Sequence, residues 1–552
     1  MGNKKHKSAS GKKSYGYFLG SIGNILLWVV ISAYFVILPL YLKNGYELVA
    51  TNKYLCFAAI SRISAIVLGT FVVLYFATWG MYKEELAVYK PLAKIDISVL
   101  AFIVIAFVSY MISLHKVEGE KEDFWFFEGA FYGTSGWYMG FMTYLILVAL
   151  YFVISRFLRY SDKIWIPALA AAAIVFILGI INGYGVYPIE MELQRSGLVS
   201  TIGNINWYAG FQSVLLPVFY GFYLSAKKPV MKFLFAVLIL IGDTALLVNG
   251  SDSIVFGFLI MSLFYLIYSV KSERKLTQFL ETTVLFLFSG TVVRILDEIF
   301  PGQKESASDF ANIFTKGPAP IAILIVFCGL IFFFRYRAIK DKQYSDRTGL
   351  FIRRVLIIVS LSGVALSVIL IAVNTKTNGA LPLIGDSPAF IFNDDWGSNR
   401  GATWTLGLKT FADLPFISKL FGAGPDCFYF ALKDDAEAFQ MATDVFGSSR
   451  LTNAHCEIIT LLVNVGILGT LSFLAICYFG IREFLKRADR NPLMLSFSLS
   501  IVLYLANNVF SFEQLLNTPF LFLVIAVGAA FTVSGQRGFI DKEPKEYYNS
   551  RR

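Results

Sequence analysis

Two arginines lie inside long apolar stretches of this chain, where a charged side chain is costly and usually has a function. Arg62 and Arg294 each fall in the outer half of a predicted membrane span. A guanidinium group keeps its charge and matches phosphate oxygens in a bidentate way, so both residues are candidates for binding an anionic head group. The alternative is that the two long side chains extend to the membrane surface.

A third arginine stands before the outer end of another predicted span. Arg195 is followed by Gly-Asn-Ile-Asn at 203–206. Asn204 and Asn206 are candidates for substrate binding, and the alternative is that they cap the helix that follows.

The last group of polar residues precedes the final three apolar stretches. Arg400 stands ahead of Trp404, and His455 opens a later span together with Glu457. Trp404 is either a substrate contact or an anchor at the membrane interface. Glu457 is either a substrate contact or a first-turn carboxylate that interacts with the helix dipole.

The composition shows what kind of element must position these residues. Of the 552 residues, 56% are hydrophobic and only 16% are charged, whereas about a quarter of a soluble domain is charged. A water-soluble protein is therefore excluded, and recurrent apolar runs of 18 or more residues predict membrane helices. We expect an all-α fold, a polytopic transmembrane helix bundle of about 12–14 helices. The predicted spans are near 20–42, 55–79, 95–114, 136–155, 164–183, 203–225, 230–248, 253–270, 278–300, 320–338, 354–374, 455–480, 494–510 and 517–534.

The basic residues predict how the spans are oriented. If the N-terminus is cytoplasmic, most of the 48 lysines and arginines fall in cytoplasmic loops, as expected because positive loops resist translocation. The net charge of +10 therefore reflects membrane orientation rather than binding to nucleic acid. The predicted parts are a cytoplasmic basic N-terminus (1–19), a transmembrane bundle (20–374), a large external loop (375–454), C-terminal transmembrane helices (455–534) and a cytoplasmic tail (535–552).

The large external loop is expected to contain short interfacial helices. Trp404, Leu408 and Phe411 are spaced at i, i+4 and i+7, which predicts a short amphipathic helix lying on the outer leaflet. A glycine-rich turn, Gly-Ala-Gly-Pro at 422–425, then ends the helical structure.

Several kinds of chemistry lack their motifs in this sequence. There is no G-x-x-x-x-G-K-S/T loop for a nucleotide and no D-x-D pair on the cytoplasmic side for a metal-bound sugar nucleotide. Three histidines are too few for a histidine-rich metal site, and the five cysteines contain no CxxC pair. We therefore expect no metal and no cofactor, and either a membrane enzyme that uses preassembled, lipid-carried substrates or a transporter.

The order and spacing of these motifs, over roughly 195–475, resemble the O-antigen ligase and polymerase family of bacterial polytopic membrane proteins. That family has an arginine before a G-x-x-N-x-N-like helix start, a second arginine ahead of a tryptophan in a large external loop, a glycine-rich turn and a histidine that opens the next helix. The chain departs from the family at Cys456, where asparagine is common, and at Asp252, where a basic residue is frequent.

The resemblance implies transfer of a glycan from an undecaprenyl pyrophosphate carrier to an acceptor lipid, glycan or protein. The reaction would occur on the outer face of the bacterial cytoplasmic membrane, without metal or ATP, and would invert the anomeric centre. Arg195 and Arg400 would bind the pyrophosphate, and His455 would act as, or orient, the base on the acceptor hydroxyl.

Two alternatives remain at this point. A polysaccharide polymerase of the same family differs only in using another copy of the donor as acceptor. A lipid-linked oligosaccharide flippase also suits many helices and in-membrane arginines, but it needs no large external loop with arginine and histidine, and no duplicated halves are visible in the sequence.

Overall fold

The computed structural model describes residues 15–81, 92–118, 127–189, 193, 197–302, 304, 308–382, 384–385 and 387–534. Within these ranges the chain forms α-helices joined by short connections, with two 3₁₀ turns and one two-stranded antiparallel hairpin (β1, Leu198–Val199; β2, Gly203–Asn204). The helices are α1 (Tyr15–Leu40), α2 (Val49–Trp79), α3 (Lys94–Ile112), α4 (Phe141–Phe157), α5 (Ile166–Gly183), α6 (Ile205–Ser225), α7 (Pro229–Val248), α8 (Asp252–Ser269), α9 (Glu273–Ile299), α10 (Asp309–Thr315), α11 (Ala319–Ile339), α12 (Asp346–Lys376), α13 (Trp396–Asp413), α14 (Phe416–Phe421), α15 (Phe428–Asp434), α16 (Ala436–Phe446), α17 (Glu457–Leu485), α18 (Pro492–Asn507) and α19 (Thr518–Ser534).

The helices confirm the predicted fold class. Each of the fourteen predicted spans coincides with a helix, namely α1 to α9, α11, α12 and α17 to α19. Among the described residues, 10 helices are long and apolar enough to cross a membrane, and α4, α18 and α19 are apolar but shorter. The protein is therefore an all-α, polytopic helix bundle.

Helix α18 lies at the centre of the bundle. It packs against α6, α8 and α17, and the side chains of α6 and α18 are almost all buried. Small residues permit this close approach, since a Cβ on Gly221 of α6 would overlap Ser496 of α18. The Ser500 hydroxyl donates to the carbonyl of Val214 across the same interface at 2.8 Å.

Helix α17 is broken at Gly466, which has φ 70° and ψ −176°. This region of backbone space is essentially restricted to glycine. The break leaves two carbonyls without helical partners, and the preceding segment supplies new ones. Val463 O accepts from the backbone N–H of Ala423 at 2.8 Å, and Asn464 O accepts from that of Gly424 at 3.1 Å. The glycine-rich turn at 422–425 and the break at Gly466 therefore form the two sides of one contact.

The segment between α12 and α17 folds into the short helices α13 to α16, which form a small apolar core together with Ile459 and Val463 of α17. We call the end of the bundle that carries these helices the loop end. The predicted amphipathic helix is present as α13. Its inward face includes Leu406 and Thr410, while Trp404 and Phe411 are partly buried and Leu408 is 48% exposed.

Candidate functional site

A cavity of about 910 Å³ opens at the loop end, within the size range of small-molecule sites. It is built by parts of the chain that are far apart in sequence. Its walls are the start of α6, the start of α8, the 388–400 segment, the start of α10, the loop before α17 and the loop after α18. The lining residues include Asn206, Ser251, Asp252, Ser253, Phe256, Asp309, Asn393, Asp395, Trp396, Arg400, His455 and Phe510.

Arg400 lies on α13 at the wall of this cavity. Its Nε donates to the carbonyl of Phe510 at 3.0 Å, and its Nη1 donates to the carbonyl of Gly397 at 2.6 Å. The guanidinium carbon is also 5.8 Å from the centre of the Phe510 ring. Burial lowers the pKa of Arg400, and Asp252 opposes that shift, but an arginine in a protein stays protonated. The side chain is therefore a fixed cation with further N–H donors for a ligand.

An unusual backbone turn precedes Arg400. Gly397, Ser398 and Asn399 have φ values of 60°, 60° and 65° within α13. Left-handed backbone costs about 1–2 kcal/mol for each residue with a Cβ. Such strain persists where the surroundings enforce it, and it is typical of ligand sites. Trp396 and Arg400, the residues on either side of this turn, both line the cavity.

His455 lies immediately before α17 and lines the same cavity. Its backbone N–H donates to Asn453 Oδ1 at 2.9 Å, and its ring packs edge-on against Phe512 with a centroid distance of 5.3 Å. The Thr403 hydroxyl of α13 donates to the carbonyl of Ala454 at 2.9 Å. This hydrogen bond joins α13, which carries Arg400, to the loop that carries His455. Burial, and secondarily the charge of Arg400, lower the pKa of His455 to about 4. The imidazole is therefore neutral near pH 7, as a general base must be before it accepts a proton, and the lowered pKa makes it a weaker base than a free imidazole.

The segment before α4 supports His455 from behind. Trp137 packs edge-on against Phe512 at 4.7 Å, and its Nε1 donates to Thr452 at 2.7 Å. The same segment is held by an ion pair in which Arg450 Nη2 lies 2.8 Å from Glu128 Oε2. Residues 127–140 therefore position the loop that carries the histidine.

Aromatic side chains form one wall of the cavity. Trp396 and Phe510 line it, and Trp404 lies behind them. Trp404 stacks on Phe510 at 5.9 Å and 14° and meets Trp396 edge-on at 5.2 Å. Trp404 is not among the lining residues, and it contacts two aromatic rings that do face the cavity.

The two asparagines expected near this site have different positions. Asn206 lines the cavity, and its Oδ1 accepts from the Ser251 hydroxyl at 2.9 Å. Asn204 caps α6, because its Oδ1 accepts from the backbone N–H of Asn206 at 2.8 Å.

Three other candidate residues do not line the cavity. Arg62 is exposed on the side of α2. Arg294 is 44% exposed, with its Nε 3.6 Å from Glu298 Oε1 and its Nη1 donating to Gly317 O at 3.3 Å. The structure therefore places both arginines on the outside of the bundle, away from the cavity.

Glu457 is the third of these residues. Its carboxylate is buried, and it accepts hydrogen bonds from the Tyr504 hydroxyl at 3.0 Å and from the Asn508 side-chain amide. This arrangement joins the start of α17 to α18. Arg195 lies outside the described residues.

Several cavity residues were not expected from the sequence. Asp252 was noted only as a departure from the family pattern, yet it lines the cavity and accepts from the backbone N–H of Phe310 at 3.2 Å. The sequence did not single out Trp396 and Asp395. The signal that could have found them is the polar run Asp-Trp-Gly-Ser-Asn-Arg at 395–400, which contains the left-handed turn. Phe510 had no sequence signal. No group of three or more His, Cys, Asp or Glu side chains in the described part of the chain could hold a metal ion.

Comparison with known proteins supports the resemblance. A family model described as O-antigen ligase matches residues 310–474, a segment that contains the strained turn, Arg400 and His455. No curated protein matches the chain. The match confirms over 310–474 the resemblance predicted from the motifs, and we conclude that the protein is a polytopic helix bundle that contains a segment similar to O-antigen ligases.

Proposed function

We propose that the protein is a membrane glycosyltransferase that moves a glycan from an undecaprenyl pyrophosphate carrier to an acceptor hydroxyl. One observation carries this proposal. Arg400 and His455, which are 55 positions apart and both lie in the segment that matches the O-antigen ligase model, line a single cavity. The acceptor is a lipid, a glycan or a protein, and the reaction needs neither metal nor ATP.

Arg400 has the properties needed to bind the leaving group. As the bond to the anomeric carbon breaks, negative charge accumulates on the pyrophosphate. A guanidinium group held by Phe510 O and Gly397 O is already in place for that charge, so little reorganisation is needed in the transition state. Arg195 is the proposed second arginine of this interaction.

His455 has the properties needed to activate the acceptor. A neutral imidazole removes the proton from the acceptor hydroxyl while that oxygen bonds to the anomeric carbon. The carbon–oxygen bond to the pyrophosphate breaks at the same time, and attack opposite this bond inverts the anomeric centre. The proton ends on His455 and the negative charge on the released carrier.

The remaining lining residues suit the sugar. Trp396 and Phe510 offer apolar ring faces, and Asp395 and Asn393 offer oxygens that accept hydrogen bonds from sugar hydroxyls. Arg62 and Arg294 have no part in this proposal because they do not line the cavity.

The proposal includes the orientation expected from the charge pattern. Both termini are cytoplasmic, and the loop end, which corresponds to the predicted external loop 375–454, faces outward from the bacterial cytoplasmic membrane. The basic residues between the spans support this arrangement.

The proposal is tested by release of the carrier. Purified protein in detergent is supplied with glycan-linked undecaprenyl pyrophosphate and candidate acceptors, without ATP or metal. Arg400→Ala and His455→Ala should each lose at least about tenfold in rate, because one oxyanion donor or one general base typically contributes about 10²–10⁴-fold. Arg294→Ala is the matched control, since it removes an arginine outside the cavity, and it should retain the wild-type rate.

The products separate the remaining possibilities. A transferred glycan of unchanged length indicates a ligase, whereas a growing glycan indicates a polymerase. Carrier that stays intact while the lipid crosses a vesicle bilayer would overturn the transferase and support the flippase.

A further inference from the structure

Two cations from different elements meet at the end of the bundle opposite the loop end, which we call the far end. Helix α8 begins at the polar cavity, and its 18 residues carry the chain about 27 Å away, to the connection with α9 that contains Lys271. Helix α12 begins at the far end, and Arg353 lies about two turns into it. We call Lys271 and Arg353 the basic pair.

One close contact brings the two elements of the basic pair together. Gly349 of α12 is buried against the α8–α9 connection, and a Cβ on this glycine would lie 2.6 Å from the carbonyl oxygen of Lys271. Arg353 is four residues further along α12, so it lies on the same face of the helix, one turn further into the span. The face of α12 that carries Arg353 therefore meets the connection that carries Lys271.

The carboxylates close to this connection are engaged by other cations. Asp489 Oδ1 lies 2.5 Å from Lys275 Nζ, and Glu273 Oε1 lies 3.1 Å from Arg337 Nη2. Nε of Arg353 is buried, and it has no hydrogen-bond partner among the described residues. The arginine therefore differs from a basic residue that only marks the orientation of a span, since such a residue can be fully solvated.

The charges around Lys271 are mostly positive. Burial lowers the pKa of Lys271, and the charges of Arg353 and Lys275 lower it further, whereas Asp489 opposes the shift. Partly buried cations that repel one another are costly unless an anion compensates them. The basic pair thus attracts an anion to the contact between α12 and the α8–α9 connection.

Helix α12 offers a hydrocarbon-facing surface beside the basic pair. Its buried residues are Gly349 near one end and Asn374 near the other. In the described structure, no residue of its most apolar stretch is buried, and its contacts are concentrated on α8 and on the 3₁₀ turn at Pro388–Phe390. Because α8 and α12 are both long and apolar enough to cross a membrane, acyl chains of the bilayer can lie along α12.

We propose that the basic pair binds the phosphate of an anionic phospholipid whose acyl chains lie along the exposed apolar surface of α12. The guanidinium group of Arg353 can bind two phosphate oxygens, and the ammonium group of Lys271 adds a point charge. Basic pockets between membrane helices bind anionic head groups in this way. A lipid rather than a soluble anion is the occupant, because the basic pair lies next to a helix surface that faces the membrane. The inference goes beyond the proposed function, since this site is at the opposite end of α8 from the polar cavity.

The lipid would also hold one wall of the polar cavity in place. At the other end of α12, the Asn374 side-chain amide donates to the carbonyls of Gly385 and Phe390, each at 3.3 Å. The segment that follows, 388–400, lines the polar cavity. A lipid that keeps α12 against α8 therefore fixes the helix from which this wall extends.

The inference is tested by lipid binding to the purified protein. Phosphatidylglycerol is titrated into the protein in a neutral detergent, and the fraction of protein that carries lipid is measured by native mass spectrometry. Phosphatidylcholine with the same acyl chains is titrated in parallel. The test variant combines Lys271→Gln with Arg353→Gln. The matched control combines Arg347→Gln with Arg354→Gln, which removes two exposed cations from the same end of α12.

We expect the wild type to bind phosphatidylglycerol at least about fivefold more tightly than phosphatidylcholine. The test variant should lose at least about fivefold in affinity for phosphatidylglycerol, and the control less than about twofold. Equal losses in the two variants, or equal binding of the two lipids by the wild type, would overturn the site. Glycerol phosphate at millimolar concentration should not displace the lipid, and displacement would show that a soluble anion is the occupant instead.

A second measurement needs no variant. Phosphatidylglycerol with a photoreactive group on its head group is irradiated with the wild-type protein in vesicles of phosphatidylglycerol and phosphatidylcholine. Crosslinks concentrated at 268–275 and 347–357 support the site, whereas crosslinks spread over the basic ends of all helices overturn it. Carrier release is measured in neither experiment, so the outcome is independent of the proposed function.

Discussion

Replacing Gly466 by alanine tests how the break in α17 is maintained. The backbone at Gly466, with φ 70° and ψ −176°, lies in the region where any other residue is strained. Such strain costs about 1–3 kcal/mol. A Cβ at this position would also overlap the backbone of Leu420 and Gly422, and overpacking adds about 1–3 kcal/mol. We therefore expect Gly466→Ala to lower the free energy of unfolding by about 2–6 kcal/mol.

The assay is unfolding in a single detergent, followed by intrinsic tryptophan fluorescence. Gly363→Ala is the control, because Gly363 lies within α12 and a Cβ there has no neighbour within 4 Å. Alanine is favoured over glycine in a helix by about 0.5–1 kcal/mol, so the control should be neutral or slightly stabilising. The reasoning would be refuted if the two variants unfolded at the same denaturant concentration.

Two further predictions concern pH. Burial and the charge of Arg400 lower the pKa of His455 to about 4. The rate constant for carrier release should therefore fall only as the pH drops through about 4, where the imidazole becomes protonated. A pH profile of kcat/KM with an acid limb near 6.5 would contradict the burial of the base. At His115, burial lowers the pKa, but the hydrogen bonds and charges of Asp434 and Glu118 outweigh it and the pKa is raised. The folded protein therefore favours the protonated ring, and this stabilisation is fully present below about pH 6.5 and is lost as the pH rises through the folded-state pKa. His115→Gln should be less stable than the wild type at about pH 6 and closer to it at about pH 9, measured by thermal unfolding, and a difference that grows with pH would contradict this.

The helices were the part of the structure most accessible from the sequence. Apolar runs determine where a chain crosses a membrane, because every backbone group must be satisfied within the span. All fourteen predicted stretches are helical. Arg400 and His455, which the order of the motifs singled out, line one cavity, and their catalytic roles stay predictions.

Which side of a helix faces the protein was much less accessible. Arg62 and Arg294 lie on apolar helices with little difference between their faces, so the sequence offers no way to tell inward from outward. Phe510 and Asp252 join the cavity through tertiary packing of α18 and α8, which no local pattern records. Glu457 lies two residues from His455, but it begins α17 whereas His455 and Cys456 have non-helical backbone, so the sequence spacing does not show where the Glu457 side chain points.

The contact at Gly466 also sets which parts of the chain can change in length. The turn at 422–424 meets α17 at Val463 and Asn464, and the chain between these points includes the exposed helix α16. Residues added within α16 would bulge outward and leave both contact points where they are. An added residue between His455 and Gly466 would instead rotate the histidine by about 100° relative to the break. Related chains should therefore vary in length across 436–446 and keep a constant spacing between the histidine and the glycine.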